Sequence, residues 1–445
     1  MSAVAKLLKD TGVTVNGSDE EVYSPISDFL EHEGLTYKTP YNAANIPADT
    51  DIIVIGKNAK LIRESNTEVA AAFASGKPVL SFPEILGELS KDKETIVVAG
   101  SYGKSTSAAL LAHCLKNAGL DPSYFIGAVP LTPNTSAKIG KGNFFVLEGD
   151  EYPSSNTDPR AKFLHFHPSH LLITPLAHDH FNVFPTPESY LKPFEELVSI
   201  TSGTIVACVE GPVSKQLLNK IPNPVTYGLT EGVYRAADIA WGEKTHFSIL
   251  QNDRMITRVE TALLGKHNVQ NIVGVAALLF SLNAITPEQF AKAVQSFKGI
   301  KRRLDKKSEK TSIPMYEGFG SSYEKAKSAI AAIKLHYPTK RLVIVFEPHT
   351  FSWRNRASLP WYDTVFEGAS KVFIYEPAEQ GASTHAQLTQ REIIEKTKTA
   401  GFDVEPLYAP DISLTQNDVV LFLTSGNLGG FIEPIIALAE QKFPA

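Results

Sequence analysis

The chain has 445 residues, and at about 150 residues per domain this length predicts roughly three domains. Hydrophobic residues make up 43% and charged residues 20%, a composition that excludes a disordered chain and is typical of a globular protein. The formal net charge is -5, and the single basic cluster, KGIKRRLD at 298–305, is too short for a nucleic-acid footprint.

Cysteine content and hydropathy indicate where the chain resides. Cys114 and Cys208 are too few for a disulfide framework and have apolar neighbours, so we expect buried thiols in a reducing compartment. The amino terminus lacks the pattern of a signal peptide, and no segment reaches the ~18 apolar residues of a membrane span. We therefore expect a cytoplasmic protein with no membrane partner.

Short β-branched runs alternate with amphipathic stretches along the chain, the pattern of an α/β fold with parallel sheets. Hydrophilic segments at 87–94 and 299–312 separate three predicted domains, at 1–92, 93–299 and 300–445. The first residues predict a helix and then a strand ending at 17–19. It is as though the opening strand of a Rossmann-like unit were missing ahead of Met1.

The segment IVVAGSYGKSTSAALL at 96–111 predicts a strand, a glycine-containing loop and a helix. The general phosphate-loop pattern GxxxxGK[ST] needs a glycine where Val98 stands. The GKS triplet nevertheless falls at a helix amino terminus, where N–H groups and the helix dipole favour phosphate. Lys104 could then reach phosphates and Ser105 could bind Mg²⁺; the alternative is a tight structural turn.

Two further segments carry polar groups next to predicted elements. FFVLEGDEYPSS at 144–155 ends a strand with Glu148, Asp150 and Glu151, which are oxygen ligands suited to Mg²⁺ or simply a solvated turn. LLGKHNVQNIVGVAALL at 263–279 places His267, Asn268 and Asn271 at the start of a helix. Such amides cap helices or bind an adenine edge.

Five histidines lie between residues 163 and 184, in FLHFHPSHLLITPLAHDHFNVF. This composition raises the alternative of a zinc hydrolase, since imidazole and carboxylate are good zinc ligands. None of the histidines has the i, i+4 spacing of a helical zinc site. We expect one histidine after the predicted strand 170–176 to be a metal ligand and the others to be surface or capping residues.

In this order and spacing, the four segments resemble the Mur ligase family, ATP-dependent enzymes that build the peptide stem of peptidoglycan. AGSYGKSTSA is similar to that family's short loop GTxGKTT, which explains Val98. The resemblance implies three domains: a Rossmann-like first domain that binds a UDP-substrate, a central ATP-binding domain and a Rossmann-like last domain that binds the amine.

The resemblance also implies roles for individual residues. Lys104 would hold the β and γ phosphates, Ser105 and Glu148 would bind one Mg²⁺, and His180 a second, so that Lys104, Glu148 and His180 are the catalytic residues. Arg303 would reach the phosphates from the last domain. The remaining nucleotide contacts would come from Gly100, Ser101, Tyr102, Gly103, Thr106, His267, Asn268 and Asn271.

The reaction implied is phosphorylation of the carboxylate of UDP-N-acetylmuramate by ATP, followed by attack of an amine on the acyl phosphate. The phrases DPRAKFLHFHP and LTSGNLGGFIEP are most similar to the family branch that uses the tripeptide L-alanyl-γ-D-glutamyl-meso-diaminopimelate. The L-alanine branch ranks second. A nucleotide-binding relative without turnover is a further alternative, and a monomer or weak dimer is expected.

Three features depart from the family pattern: the chain begins at the methionine of the family's opening glycine-rich turn, and the other two are substitutions further along. Gly318, in EGFGSSY, replaces an aspartate that contacts nucleotide. Thr174, Pro175 and Ala177 replace polar residues expected before the Asp-His pair. Phe194 is not a departure: some relatives carry a carbamylated lysine at this position, and a phenylalanine there agrees with the muramate ligase branch.

Overall fold

The computed structural model describes residues 1–23, 26–178, 183–376 and 387–445. These residues form two compact units. The first comprises Met1–Ala237, Ser248–Val259 and Gln270–Phe297; the second comprises Asp238–Phe247, Glu260–Val269 and Lys298–Ala445. No helix within the described ranges has the length and apolar character needed to cross a bilayer.

Amphipathic segments between strands form the helices. They are α1 Ser2–Asp10, α2 Ile26–His32, α3 Thr67–Ala74, α4 Phe82–Ser90, α5 Lys104–Asn117, α6 Pro187–Ile200, α7 Pro212–Leu218, α8 Lys266–Ser281, α9 Pro287–Ser296, α10 Tyr323–His336, α11 Phe351–Arg354, α12 Gln390–Thr399 and α13 Ile432–Lys442. Side-chain caps start several of them; Thr186 and Thr286 each accept from the third residue of the helix that follows, with proline at its first position.

The strands are short and rich in β-branched residues. They are β1 Asn16–Ser18, β2 Thr36–Lys38, β3 Ile53–Ile55, β4 Val79–Ser81, β5 Glu94–Ala99, β6 Ser123–Phe125, β7 Ala137–Lys138, β8 Phe144–Glu148, β9 His170–Ile173, β10 Ile205–Cys208, β11 Val225–Gly228, β12 Tyr234–Ala240, β13 Thr245–Gln251, β14 Arg254–Thr261, β15 Arg303–Lys306, β16 Met315–Phe319, β17 Arg341–Phe346, β18 Lys371–Tyr375, β19 Val404–Leu407 and β20 Asp418–Thr424.

The first ninety residues contain two separate pairs of parallel strands, β1 with β2 and β3 with β4. The predicted helix and strand at the start are α1 and β1. Asn66 caps the amino end of α3: its side chain accepts from the N–H groups of Glu68 and Val69 at 3.0 Å each.

A ten-stranded sheet follows, in the order β14-β13-β12-β11-β10-β9-β5-β8-β6-β7. Strands β6, β8, β5, β9, β10 and β11 run parallel, and β7 is antiparallel to β6. The central strand β5 is buried on both faces, with Ile96 through Ala99 at 0% exposure. The carboxyl ends of β5, β8 and β9 therefore meet at one sheet edge.

The last part of the chain forms a six-stranded sheet in the order β15-β16-β20-β17-β18-β19. All its strands are parallel except β15, which is antiparallel to β16. Helix α10 packs on one face, where Ile330 and Ile333 are buried, and α13 contributes Ile435 and Ile436 to a second buried cluster. The predicted α/β class is confirmed; the boundaries at 92 and 299 stay a prediction.

Candidate active site

The loop between β5 and α5 requires both of its glycines. Gly100 has φ +145°, and a Cβ atom there would lie 2.2 Å from Thr174 Oγ1. Gly103 has φ +86°, and a Cβ atom there would lie 2.2 Å from the side-chain oxygen of Asn271 in α8. The two glycines therefore let β9 and α8 approach the loop backbone more closely than any side chain would permit.

The start of this loop is fastened to the segment that follows β9. The N–H groups of Ser101 and Tyr102 donate to the carbonyl of Pro175 at 3.1 and 3.3 Å. The Ser101 hydroxyl lies 2.6 Å from Tyr190 Oη and 2.8 Å from the carbonyl of Ala177. With these groups held, the N–H groups in the first turn of α5, which have no intrahelical acceptor, are the donors that can face a phosphate.

Lys104 lies in the first turn of α5, and its ammonium group faces a carboxylate. Its Nζ atom is 3.0 Å from Glu151 Oε2 and donates to the Gly100 carbonyl at 2.5 Å. The Glu151 side chain is 1% exposed and that of Lys104 is 17% exposed. A buried carboxylate thus holds the lysine at the loop, and a phosphate would compete with Glu151 for it.

Ser105 and Glu148 converge next to Lys104. The Ser105 hydroxyl donates to Glu148 Oε1 at 2.7 Å, and the N–H of Gly127 donates to Glu148 Oε2 at 2.6 Å. Glu148 ends β8, directly beside Val98 of β5. A hydroxyl and a carboxylate at this spacing fit the oxygen-only ligand set of Mg²⁺, which adds phosphate and water oxygens.

Asp150 lies two residues beyond Glu148 and pairs with Lys162, whose Nζ atom is 2.5 Å from Asp150 Oδ2. Burial raises the pKa of Asp150, but the charge and hydrogen bond of Lys162 outweigh burial and leave that pKa below its ordinary value. Asp150 is therefore a carboxylate at neutral pH, which adds a negative charge near Lys104.

The predicted metal ligand His180 lies outside the described residues, as does Asp179. Of the other histidines, His178 Nε2 lies 2.7 Å from the carbonyl of Phe184, and His170 Nδ1 accepts from the N–H of Thr204 at 3.2 Å. Within the described ranges, no group of three histidine, cysteine or carboxylate side chains is arranged to hold a metal ion.

Phe194 is fully buried in α6, in an aromatic cluster with ring centroids 5.3 Å from both Phe163 and Tyr190. Burial of a charged side chain here would need a partner that an aromatic cluster does not supply. Residue 194 therefore has a packing role in the core, and its surroundings do not suit a carbamylated lysine.

The helix α8 begins with the predicted nucleotide residues. The Asn268 side chain donates to the Leu264 carbonyl at 2.8 Å, and Asn271 lies against Gly103. The His267 residue is exposed to solvent, although many protein atoms surround its imidazole ring. This crowding, followed by the charges of Arg303 and His336, lowers the pKa of His267 to about 4, so its ring is neutral at physiological pH.

In the second unit, Arg303 is exposed and its neighbour Arg302 is half-buried. Arg302 Nε donates to Glu317 at 2.9 Å, and its guanidinium also contacts the carbonyl of Gly426. Glu317 additionally pairs with Lys307 at 2.8 Å. Glu317 is therefore engaged in a buried ion network.

Gly318 pairs with Arg303 across β15 and β16. A Cβ atom at Gly318 would meet Leu423 at 3.2 Å and Leu304 at 3.5 Å. Gly318 thus lies among apolar side chains, and it has no side chain that could contact the nucleotide as the aspartate of the family pattern does.

Two family models match the chain, the Mur ligase family catalytic domain over residues 1–94 and the Mur ligase middle domain over residues 98–279. The solved UDP-N-acetylmuramate:L-alanyl-gamma-D-glutamyl-meso-diaminopimelate ligase of Neisseria meningitides is 30% identical, with 68% of this chain and 96% of that chain covered and a TM-score of 0.62. The chain belongs to the Mur ligase family. It is an ATP-dependent ligase that forms carbon–nitrogen bonds in peptidoglycan synthesis.

Two relatives that match over nearly the whole chain carry a different name. The UDP-N-acetylmuramate–L-alanine ligase of Burkholderia multivorans is 28% identical, covering 99% of this Mur ligase and 96% of its own length. The solved UDP-N-acetylmuramate-alanine ligase of Thermotoga maritima has a TM-score of 0.80 at 22% identity, covering 99% of this chain and 97% of that one. These relatives agree with the second-ranked branch of the sequence prediction better than with the first.

The sequence analysis missed several residues of this Mur ligase that make the contacts described above, or gave them no role. Glu151 was noted only as one of three carboxylates, Thr174 only as a departure, and Tyr190 and Arg302 had no role. A signal for Glu151 existed, since it follows Glu148 at the same strand end. Nothing local to Tyr190 or Arg302 indicates their contacts, which join positions 89 and 124 residues apart in the chain.

Proposed function

We propose that this Mur ligase joins the carboxylate of UDP-N-acetylmuramate to the amino group of L-alanine. The observation that carries the chemistry is the convergence of Ser105, Glu148 and Lys104 at the amino end of α5, with Ser105 Oγ 2.7 Å from Glu148. The full-length L-alanine ligase relatives support the choice of amine.

Within this proposal, Ser105 and Glu148 hold Mg²⁺, which when bound neutralises phosphate charge, and His180 contributes to a second ion. Lys104 leaves Glu151 and binds the β and γ phosphates. The first-turn N–H groups of α5 orient the phosphates so that the carboxylate can attack in line. The other nucleotide contacts proposed from the family resemblance are Gly100, Ser101, Tyr102, Gly103, Thr106 and Arg303. The backbone N–H groups of Ser101 and Tyr102 already donate to Pro175, so these two residues would contact the nucleotide through other atoms.

His267, Asn268 and Asn271 are the proposed adenine contacts; a neutral His267 ring suits a base better than an imidazolium would. The proposed division at 92 and 299 assigns the UDP moiety to the first domain and the amine to the last. Cytoplasmic location and a monomer or weak dimer belong to the same proposal.

A second amine, the tripeptide L-alanyl-γ-D-glutamyl-meso-diaminopimelate, is favoured by the relative at 30% identity and by the phrase DPRAKFLHFHP. Phosphate release from ATP separates the candidates when UDP-N-acetylmuramate is supplied with L-alanine, with the tripeptide or with no amine. We expect the highest kcat/KM with L-alanine. Preference for the tripeptide would reverse the assignment, and ATP binding without amine-dependent release would indicate a relative that has lost turnover.

A further inference from the structure

His336, the last residue of α10, is 4% exposed and uses both ring nitrogens. Its Nε2 atom lies 2.8 Å from the backbone N of Gly265, and its Nδ1 atom lies 2.6 Å from the carbonyl of Gly242. A backbone N–H can only donate, so Nε2 must accept and Nδ1 must carry the proton. The two contacts therefore specify one neutral tautomer.

The contact between α10 and Gly265 is too close for any other residue. Gly265 has φ +90°, and a Cβ atom there would lie 3.0 Å from Ala332 Cβ, one turn before His336 on α10, and 2.8 Å from His267 Cε1. Trp241 meets the His336 ring edge-on, with centroids 5.4 Å apart. The Gly242 carbonyl and the Trp241 ring therefore fix the His336 ring in the position from which it accepts a hydrogen bond from Gly265.

Gly265 is the residue from which α8 starts. Its carbonyl accepts from the N–H groups of Asn268 at 3.1 Å and Val269 at 3.4 Å, which are the first bonds of the helix. Its own N–H is given to His336. Glycine has no side chain with which to cap the helix, so the histidine contact fixes the direction in which the chain enters α8.

We propose that His336 is a positioning residue for ATP: it sets the amino end of α8 and thereby the orientation of His267 and Asn268 toward the adenine. The inference rests on the proposed nucleotide contacts of those two residues. His336 lies more than sixty positions after His267 and Asn268 in the chain, and in this proposal it acts through them without touching the substrate.

Two conservative variants separate the two hydrogen bonds. His336→Gln can keep an acceptor near the Nε2 position, and His336→Asn can keep a donor near the Nδ1 position. Loss of the bond to Gly265 leaves a buried N–H unpaired, so we expect His336→Asn to weaken ATP binding about tenfold. We expect His336→Gln to bind within about threefold of the unmodified protein.

The readout is the dissociation constant for ATP by calorimetric titration, together with KM for ATP and kcat. Titration needs neither acid nor amine, so it stands if the assigned amine is wrong. We expect KM for ATP to rise in His336→Asn while kcat stays within about twofold. Loss of ATP binding by the unmodified protein would instead overturn the proposed function.

The matched control is His113→Gln, in the other compact unit. His113 is also buried, and its Nε2 atom lies 2.9 Å from Ser296 Oγ. We expect this variant to lower the melting temperature without changing ATP affinity. Equal ATP affinity in folded His336→Asn and the unmodified protein would overturn the inference. If His336→Asn does not fold, Ala332→Val crowds Gly265 from the same helix, and unchanged affinity there would also overturn it.

Discussion

Replacing Lys104 changes two properties at once, because the lysine is both the proposed phosphate ligand and the partner of a buried carboxylate. Lys104→Met leaves Glu151, 1% exposed, without the cation 3.0 Å away. Removing one partner of a buried ion pair costs about 3–5 kcal/mol. For a unit of this size, about 2 °C in melting temperature corresponds to 1 kcal/mol, so we expect a fall of about 6–10 °C.

The double variant Lys104→Met with Glu151→Gln also removes the carboxylate charge that Lys104 faces. We expect it to recover about 2 kcal/mol or more relative to Lys104→Met, because replacing both members of a buried pair costs much less than removing one. ATP-dependent phosphate release should stay abolished in both variants, since neither has the lysine proposed to bind the β and γ phosphates at the loop.

Calorimetric melting without ATP and the phosphate-release assay read the two effects separately. If Lys104→Met melts within 2 °C of the unmodified protein, Glu151 is not held by Lys104 and the reasoning fails. Recovered turnover in the double variant would show that Lys104 acts only through folding, which would remove it from the catalytic residues.

Three further predictions concern the loop, the metal ligand and pH. Gly103→Ala should destabilise the protein by ~3 kcal/mol and weaken ATP binding, whereas Gly119→Ala, also at positive φ but with open space around it, should cost ~1 kcal/mol in denaturant unfolding. Ser105→Ala should raise the Mg²⁺ concentration needed for half-maximal turnover about 10–100-fold; Ser107→Ala on the same helix, whose buried hydroxyl has no hydrogen-bond partner among the described residues, should not. The pKa is lowered, chiefly by desolvation of the ring, for His113, His165, His170, His267 and His336. The unfolded chain therefore takes up protons at a higher pH than the folded one, and the melting temperature should fall as the pH drops from about 6.5 to 5.5. A rise in melting temperature over this range would contradict the lowered pKa values.

Local patterns explain the parts of the site that were predicted. The strand β5, the loop and α5 are consecutive, so their order in the sequence is their order in space, and the GKS triplet had to fall at a helix start. Glu148 ends a strand of the same parallel sheet, which carries it to the same edge as the loop. The Ser105–Glu148 contact therefore follows from two short patterns and one topological rule.

Contacts between distant segments could not be predicted in this way. The requirement for glycine at Gly103 comes from Asn271, and the tie on Ser101 comes from Tyr190. Neighbouring arginines at 302 and 303 are indistinguishable by type, and only the position of Glu317 on β16 shows that Arg302 pairs with this carboxylate.

The sequence by itself determined the α/β class and the succession of strand, glycine-containing loop and helix at 96–111, because each depends on periodicity or spacing within a few residues. Only the tertiary structure decided that Glu151 holds Lys104 and that His336 holds the start of α8. Burial and hydrogen-bond partners are set by segments far apart in the chain, and no local pattern records which of them will meet.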